Sequence, residues 1–227
     1  MDEEAAMFWY FFGGVIAIAI LGAIIGIVRE RARRKAIRAL AAELGLAYLE
    51  DPDDALEGEL SLLPLFQSGR SRIARNAMHG PIADIEMRVF DYSYATGSGE
   101  DSTRHSHTVT AFCAPGVNVP AFDLARDSTP GFLRALFGTS DINFDEFPEF
   151  SKRMRLRAED EAAIRALFDA DLAVGMNQAD SLSVEAAGEW VIVYAKERRK
   201  PAEIPQLVEQ GFELATMIFN RAAMLEV

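Results

Sequence analysis

The chain has 227 residues, half of them hydrophobic and 26% charged, which excludes a disordered or collagen-like polymer and suits one domain with an accessory segment. A formal net charge of −12 argues against a nucleic-acid binder that works through a broad basic surface. One cysteine excludes an internal disulfide and any multi-cysteine metal site, and three histidines leave little for an all-histidine centre.

The first element is apolar. Residues 1–6 form a short acidic tail, and residues 7–28, MFWYFFGGVIAIAILGAIIGIV, carry no charge. At about 1.5 Å per residue such a helix reaches about 33 Å, the thickness of a bilayer's hydrocarbon, and satisfies its own backbone hydrogen bonds as lipid requires. Trp9 and Tyr10, among flanking phenylalanines, belong at the headgroup layer. A cleaved secretory signal would begin with basic residues and carry a shorter core. Directly after the span come Arg29, Arg31, Arg33, Arg34, Lys35 and Arg38, opposed only by Glu30. Basic residues are retained inside, so the expected topology is a single pass of the bacterial inner (cytoplasmic) membrane, N-terminus outside and the rest of the chain cytoplasmic.

Residues 29–45 are read as a basic juxtamembrane helix stopping near Gly45, with Ala36, Leu40 and Leu44 on one face. Its arginines either reach back to lipid phosphates, which the positive-inside rule already explains, or dock an acidic partner. Within the span Ala19, Gly22, Ala23 and Gly26 make a small-residue stripe in GxxxG spacing, fit for a partner helix or a self-dimer. The span has no histidine, aspartate or glutamate, and so no side-chain ligand of the usual kind for haem or chlorophyll and no proton relay.

From residue 46 to 227 the pattern becomes that of a globular α+β domain, an antiparallel sheet with helices packed on one face. Strands are predicted at 47–50, 71–78, 82–94, 107–113, 121–124 and 154–158, with a hairpin of 182–186 and 190–196. A turn is expected at His79-Gly80-Pro81, and residues 96–106 are read as a mobile loop. Ile85, Met87 and Val89 alternate with Asp84, Glu86 and Arg88; then Phe90, Tyr92 and Tyr94 occupy the formerly polar side. A bulge near Val89, or a change in which face is covered, accounts for that shift. Helices are predicted at 132–137, 159–168 and 204–225, and the phenylalanines of INFDEFPEF are read as core fillers. In 153–157 Met154 and Leu156 are expected inward and Arg153, Arg155 and Arg157 outward. The last helix repeats apolar residues in a seam from Ile204 to Leu225, but Leu207, Leu214, Met217 and Met224 widen it, which favours docking on the sheet over a coiled-coil partner.

Candidates for chemistry are few. His105 and His107 share a strand face beside Glu100 and Asp101 and could hold one metal ion, although the bland reading is two polar residues at a hairpin base. Cys113 lies on the apolar side of its strand and is read as an inert small hydrophobe. Phosphate-loop, dinucleotide, zincin and nucleophile-elbow motifs are absent from the sequence, and no cofactor is expected. Two basic clusters, 152–157 and 196–200, are expected to orient an acidic domain that stands off the bilayer.

The succession of a span, an arginine-rich helix, ELGLAYLEDP, FDYSYATGSG and FPEFSKRMRLRAEDEAAIRALF resembles a group of bacterial single-pass membrane-anchored proteins with no assigned activity. That resemblance implies an inner-membrane setting and no catalytic residues. The expected function is a non-enzymatic accessory or scaffolding subunit of a respiratory, photosynthetic or transport complex. Its partners are the bilayer and a membrane protein, or a second copy, reached through the span, with no nucleic acid. A membrane-anchored metal-dependent enzyme using His105 and His107, or a self-associating ligand sensor, is the alternative.

Overall fold

A computed structural model describes residues 3–51, 54–126, 141–179 and 181–225. The predicted span and the basic helix are one uninterrupted helix, α1 (Glu3–Glu43). Gly45, at φ +70°, ends it: Leu46 N–H donates to Ala41 O at 2.8 Å and Gly45 N–H to Ala42 O at 3.3 Å, the paired bonds of a glycine-terminated helix. The stretch beginning at Phe12 is long and apolar enough to cross a membrane, and large side chains such as Ile18 (74% exposed) and Leu21 (58%) touch no core. A core helix would bury them. Membrane association through this helix follows.

Eight antiparallel strands make one sheet: β1 (Ala47–Leu49), β2 (Arg70–Ile82), β3 (Ile85–Thr96), β4 (Thr103–Cys113), β5 (Val119–Ala125), β6 (Arg155–Ala158), β7 (Leu182–Gly188) and β8 (Trp190–Ala195), in spatial order β1-β2-β3-β4-β8-β7-β5-β6. The main core lies on one face, between the sheet, the C-terminal end of α1 and the helices α4 (Pro148–Arg153), α5 (Glu161–Leu167), α6 (Ala170–Gln178) and α7 (Ile204–Leu225). The architecture is thus α+β, as the strand and helix patterns indicate. On the opposite face the short α2 (Asp54–Glu59) and α3 (Pro64–Gln67) cover a second, smaller core around Phe66, Phe90, Tyr92 and Tyr194. Leu60, Leu63, Leu65 and Phe66 thus contribute to a second covered face of the sheet.

That second core explains the shift of phase in β3. Pairing with β4 runs without interruption from Glu86↔Cys113 to Thr96↔Thr103, so β3 has no bulge there. Met87 and Val89 face the main core, and Phe90, Tyr92 and Tyr94 the smaller one; the strand passes from one covered face to two. The bulges lie in β2, between Arg70 and Ile73 and between Arg75 and Met78. The β2–β3 turn falls at Ala83-Asp84, with Ala83 at φ 52°, and not at His79-Gly80-Pro81, which stay paired within β2. Residues Arg104 to Ser106, expected in a loop, are likewise strand.

The phenylalanines of INFDEFPEF do fill a core: Phe144 stacks on Phe168 at 5.9 Å, and Phe150 meets Phe168 at 5.6 Å. Helix α7 docks on the sheet by the wide face, burying Ile204, Leu207, Gly211, Leu214, Ala215, Ile218, Phe219 and Ala222 while Met224 and Leu225 stay exposed. Gly211 sets the approach: a Cβ there would lie 2.7 Å from Thr110 Oγ1 and 2.9 Å from the Phe112 ring. The helix predicted at 132–137 lies outside the described residues, and α6 continues the fold where the sequence reading placed no helix.

Candidate functional site, a clamp between the helix and the sheet

Where α1 leaves its apolar stretch it meets the sheet through charge. Arg33, on α1, donates from Nε to Asp91 Oδ2 (2.7 Å), from Nη2 to Asp91 Oδ1 (2.6 Å) and from Nη1 to the carbonyl of Arg199 (2.6 Å). Asp91, on β3, also accepts from Arg198 Nη2 (2.9 Å) and Asn76 Nδ2 (3.0 Å). Arg198 in turn holds Glu30 of α1 at 3.1 Å, so Arg33, Asp91, Arg198 and Glu30 alternate in sign. Thr108 of β4 closes the ring, its Oγ1 accepting from Arg33 and from the backbone N–H of Arg199. The carboxylates are held ionised: burial alone would raise Asp91, but hydrogen bonds from Arg33 and the charges of Arg198 and Arg33 outweigh it and hold its carboxyl below the usual range. Glu30 is lowered for the same reason, with Arg198 overcoming burial.

Local sequence explains how Asn76 reaches this network. It sits in the β2 bulge at φ 54°, a conformation that asparagine tolerates better than most residues, and the bulge turns a fully buried amide toward α1. Its Oδ1 accepts from Tyr48 OH at 3.1 Å, which links β1 to the clamp. Farther along, Arg34 and Arg38 pair with Glu50 at 3.2 and 2.9 Å, and the Arg38 guanidinium lies 5.2 Å over the Tyr48 ring.

The six juxtamembrane basic residues thus divide. Arg33, Arg34 and Arg38 bind acids of the chain's own domain, while Arg29, Arg31 and Lys35 are exposed. The buried seam of this helix is Ile37 and Ala41 with Leu40 partly covered; Leu44, expected in it, is 45% exposed. The 196–200 cluster belongs to the same clamp through Arg198 and Arg199. In the 152–157 cluster Lys152 pairs with Glu149, Arg155 with Asp141, and Arg157, expected outward, is 2% exposed with Nε on Asp141 Oδ1 at 2.8 Å. Arg157 lies inward, directly opposite the buried Asp123 across the β5–β6 pair, with Asp141 as its bonded carboxylate.

Asp123 also lies directly opposite Glu185 across β5 and β7, and both side chains are fully buried. Glu185 accepts from Leu65 N–H (2.8 Å), standing in for an N-cap of α3 that Leu63 cannot provide, and from Tyr194 OH (2.7 Å). Burial and the neighbouring carboxylate push Glu185 up; burial, opposed by Arg157, pushes Asp123 up.

His105 and His107 do share a face, both stacking on the Tyr94 ring, at 4.9 and 5.8 Å. Each has a nitrogen engaged: His105 Nε2 lies 2.8 Å from Thr96 Oγ1, and His107 Nδ1 donates to the carbonyl of Ala195 at 3.0 Å. Burial lowers His107, so its ring is neutral. Asp101 is exposed, the Glu100 side chain lies outside the described residues, and among those residues no three His, Cys, Asp or Glu side chains group as a metal site. Cys113 is buried, its thiol pushed up to about 11. Ala19, Gly22, Ala23 and Gly26 are exposed along α1, and a Cβ at either glycine would meet nothing. Trp9 and Tyr10 lie within α1, with side chains outside the described residues.

The clamp was missed in the sequence. A signal existed: Asp91 continues the face that Met87 and Val89 make apolar in β3, a carboxylate where the alternation calls for a core residue.

No family model matches the chain, and no curated protein matches it. Among solved structures it is similar to the crystal structure of the mycobacterial trehalose monomycolate transport factor A, TtfA, with a TM-score of 0.59 at 14% identity over 84% of this chain and 94% of that one. At that identity the likeness is one of fold.

Proposed function

We propose that this chain is a non-enzymatic, membrane-anchored accessory subunit that holds a cytoplasmic domain rigidly on its span and presents it to a larger membrane assembly. The carrying observation is the clamp. An unbroken helix emerging from the bilayer is bonded by Arg33 and Glu30 to Asp91 and Arg198, so the domain has a set attitude to the membrane instead of swinging on a linker. Such a fixed attitude suits a subunit that must register with a neighbour in the membrane. The span anchors in the inner membrane as a single pass with its N-terminus outside, supported by the free Arg29, Arg31 and Lys35 at its inner end. The exposed Gly22 and Gly26 stripe is its contact with a partner helix. Among possible hosts, likeness in fold to a protein titled a transport factor favours a transport assembly over a respiratory or photosynthetic one.

The test is purification of the full chain from its own membranes in mild detergent, with mass spectrometry. A stoichiometric membrane-protein partner, lost when Gly22 and Gly26 are both replaced by Leu, supports the reading. A lone monomer in every detergent, or a stoichiometric transition metal lost on His105→Ala, overturns it.

A further inference from the structure

Beside the clamp, between α1 and the sheet, is an open cleft of about 470 Å³ whose lining includes Arg75, Ser93, Arg104, Ser106 and Arg198. This volume is in the range that holds small ligands. Its charge is unbalanced. Arg33 and Arg198 are matched by Asp91 and Glu30, but Arg75 and Arg104 face no carboxylate within hydrogen-bonding range among the described residues. In a chain of net charge −12, the cleft therefore carries a local excess of positive charge. Donors are spare as well. Arg75 makes no hydrogen bond among the described residues, Arg104 uses one nitrogen on Ser93 Oγ (2.9 Å), and Ser93, accepting there, keeps its own proton free. Two unmatched guanidiniums flanked by hydroxyls form a receptor for a tetrahedral oxyanion, since the planar fork matches phosphate in a bidentate way.

Position identifies the source of that anion. Arg38 sits over Tyr48, which is paired with Met78 and so level with Val89, while Arg33 sits on Asp91. Each turn of α1 toward the bilayer thus meets β3 residues nearer Thr96. Ser93, Arg104 and Ser106 follow Asp91 in that direction, on the membrane side of the clamp. Glu30, also in the lining, is two residues past the last apolar residue of the span, about 3 Å along the helix. We infer that this cleft, formed where Arg75 and Arg104 stand unmatched beside α1, binds the phosphate of an anionic phospholipid headgroup from the inner leaflet. The inference rests on the anchored reading above. A headgroup held there tethers the domain to the leaflet at a second point, opposite in effect to the repulsion between its acidic surface and anionic lipid.

Native mass spectrometry of the detergent-extracted full chain, titrated with phosphatidylglycerol, phosphatidylcholine or glycerol 3-phosphate, tests it. One phosphatidylglycerol is expected to bind in preference to phosphatidylcholine. Arg75→Gln and Arg104→Gln should each weaken it about tenfold, as expected for loss of one charge-assisted contact. Lys152→Gln, which removes an exposed positive charge far from the cleft, should change it less than twofold. Equal retention by the Arg75 and Arg104 variants, or no preference between the lipids, overturns the inference. So does glycerol 3-phosphate displacing the lipid with equal affinity, because the cleft then takes a soluble phosphate. Carbonate extraction of native membranes reports on the anchor alone: release of the chain sinks the anchored reading, whereas a retained chain with unaltered variants sinks only the cleft.

Discussion

Asp91 and Glu185 are both buried carboxylates, yet their neighbours send them in opposite directions. Asp91 has two guanidiniums and an amide; it is ionised, and its folded-state pKa lies below the unfolded one. Its stabilising contribution is therefore present above the ordinary carboxylate range and is lost as pH falls through the lowered value. Asp91→Asn leaves Arg33 and Arg198 without their shared charge and should cost about 3 kcal/mol, read by thermal unfolding of the full chain in detergent. Arg33→Met combined with Asp91→Leu should cost much less than the sum of the two single changes. Glu185 and Asp123 have raised values, so the folded state holds their protons more tightly than the unfolded chain does. Their contribution is complete below the ordinary carboxylate range and is lost as pH rises through the raised values. Glu185→Gln should flatten the decline in melting temperature on the alkaline side, and an unchanged slope would contradict this account.

Among the elements, α7 and the inner end of α1 meet the same sheet face by different means. α7 closes on it by size. Gly211→Ala in an exposed helix would stabilise by about 1 kcal/mol, but here the added carbon meets Thr110 and Phe112, both buried, so a loss of about 1–3 kcal/mol is expected in a melting experiment. α1 is held by few apolar contacts, chiefly Ile37 and Ala41, and by the ion network. Hydrogen exchange should therefore show the amides of residues 33–41 protected to a level near that of α7 in the native chain. In Asp91→Asn that protection should fall while α7 keeps its own. Equal protection in both chains would mean that apolar packing alone seats the helix.

For the whole molecule, anchor and domain form a continuous lever. The native Cys113 is buried with a raised thiol, so a thiol introduced by Leu62→Cys, at a site 69% exposed, can be labelled against little background. A membrane-impermeant maleimide should leave it unlabelled in intact spheroplasts and label it after permeabilisation. Labelling before permeabilisation would invert the topology. Lipid and partner would then be met from the other side, and the clamp, which needs no membrane to form, would persist.

The span, the strands from 47 to 125, the β7–β8 hairpin and the bounds of α7 are legible in the chain because each rests on local periodicity: an uncharged run, a twofold alternation, a 3.6-residue face. The role of the arginines is not local. Six basic residues in one stretch look alike in sequence. Only the third dimension, which sets β2, β3 and the segment after β8 against α1, divides them into three that close on Asp91 and Glu50 and three left exposed. The same holds for Arg157, set opposite Asp123 across a strand pair and held by Asp141, and for Arg75 and Arg104, which line one cleft with Asp91 and Glu30 yet bond to no carboxylate among the described residues. Hydropathy is a property of a segment, whereas charge pairing is a property of partners that are distant along the chain, so the anchor follows from the residues and the clamp from the fold.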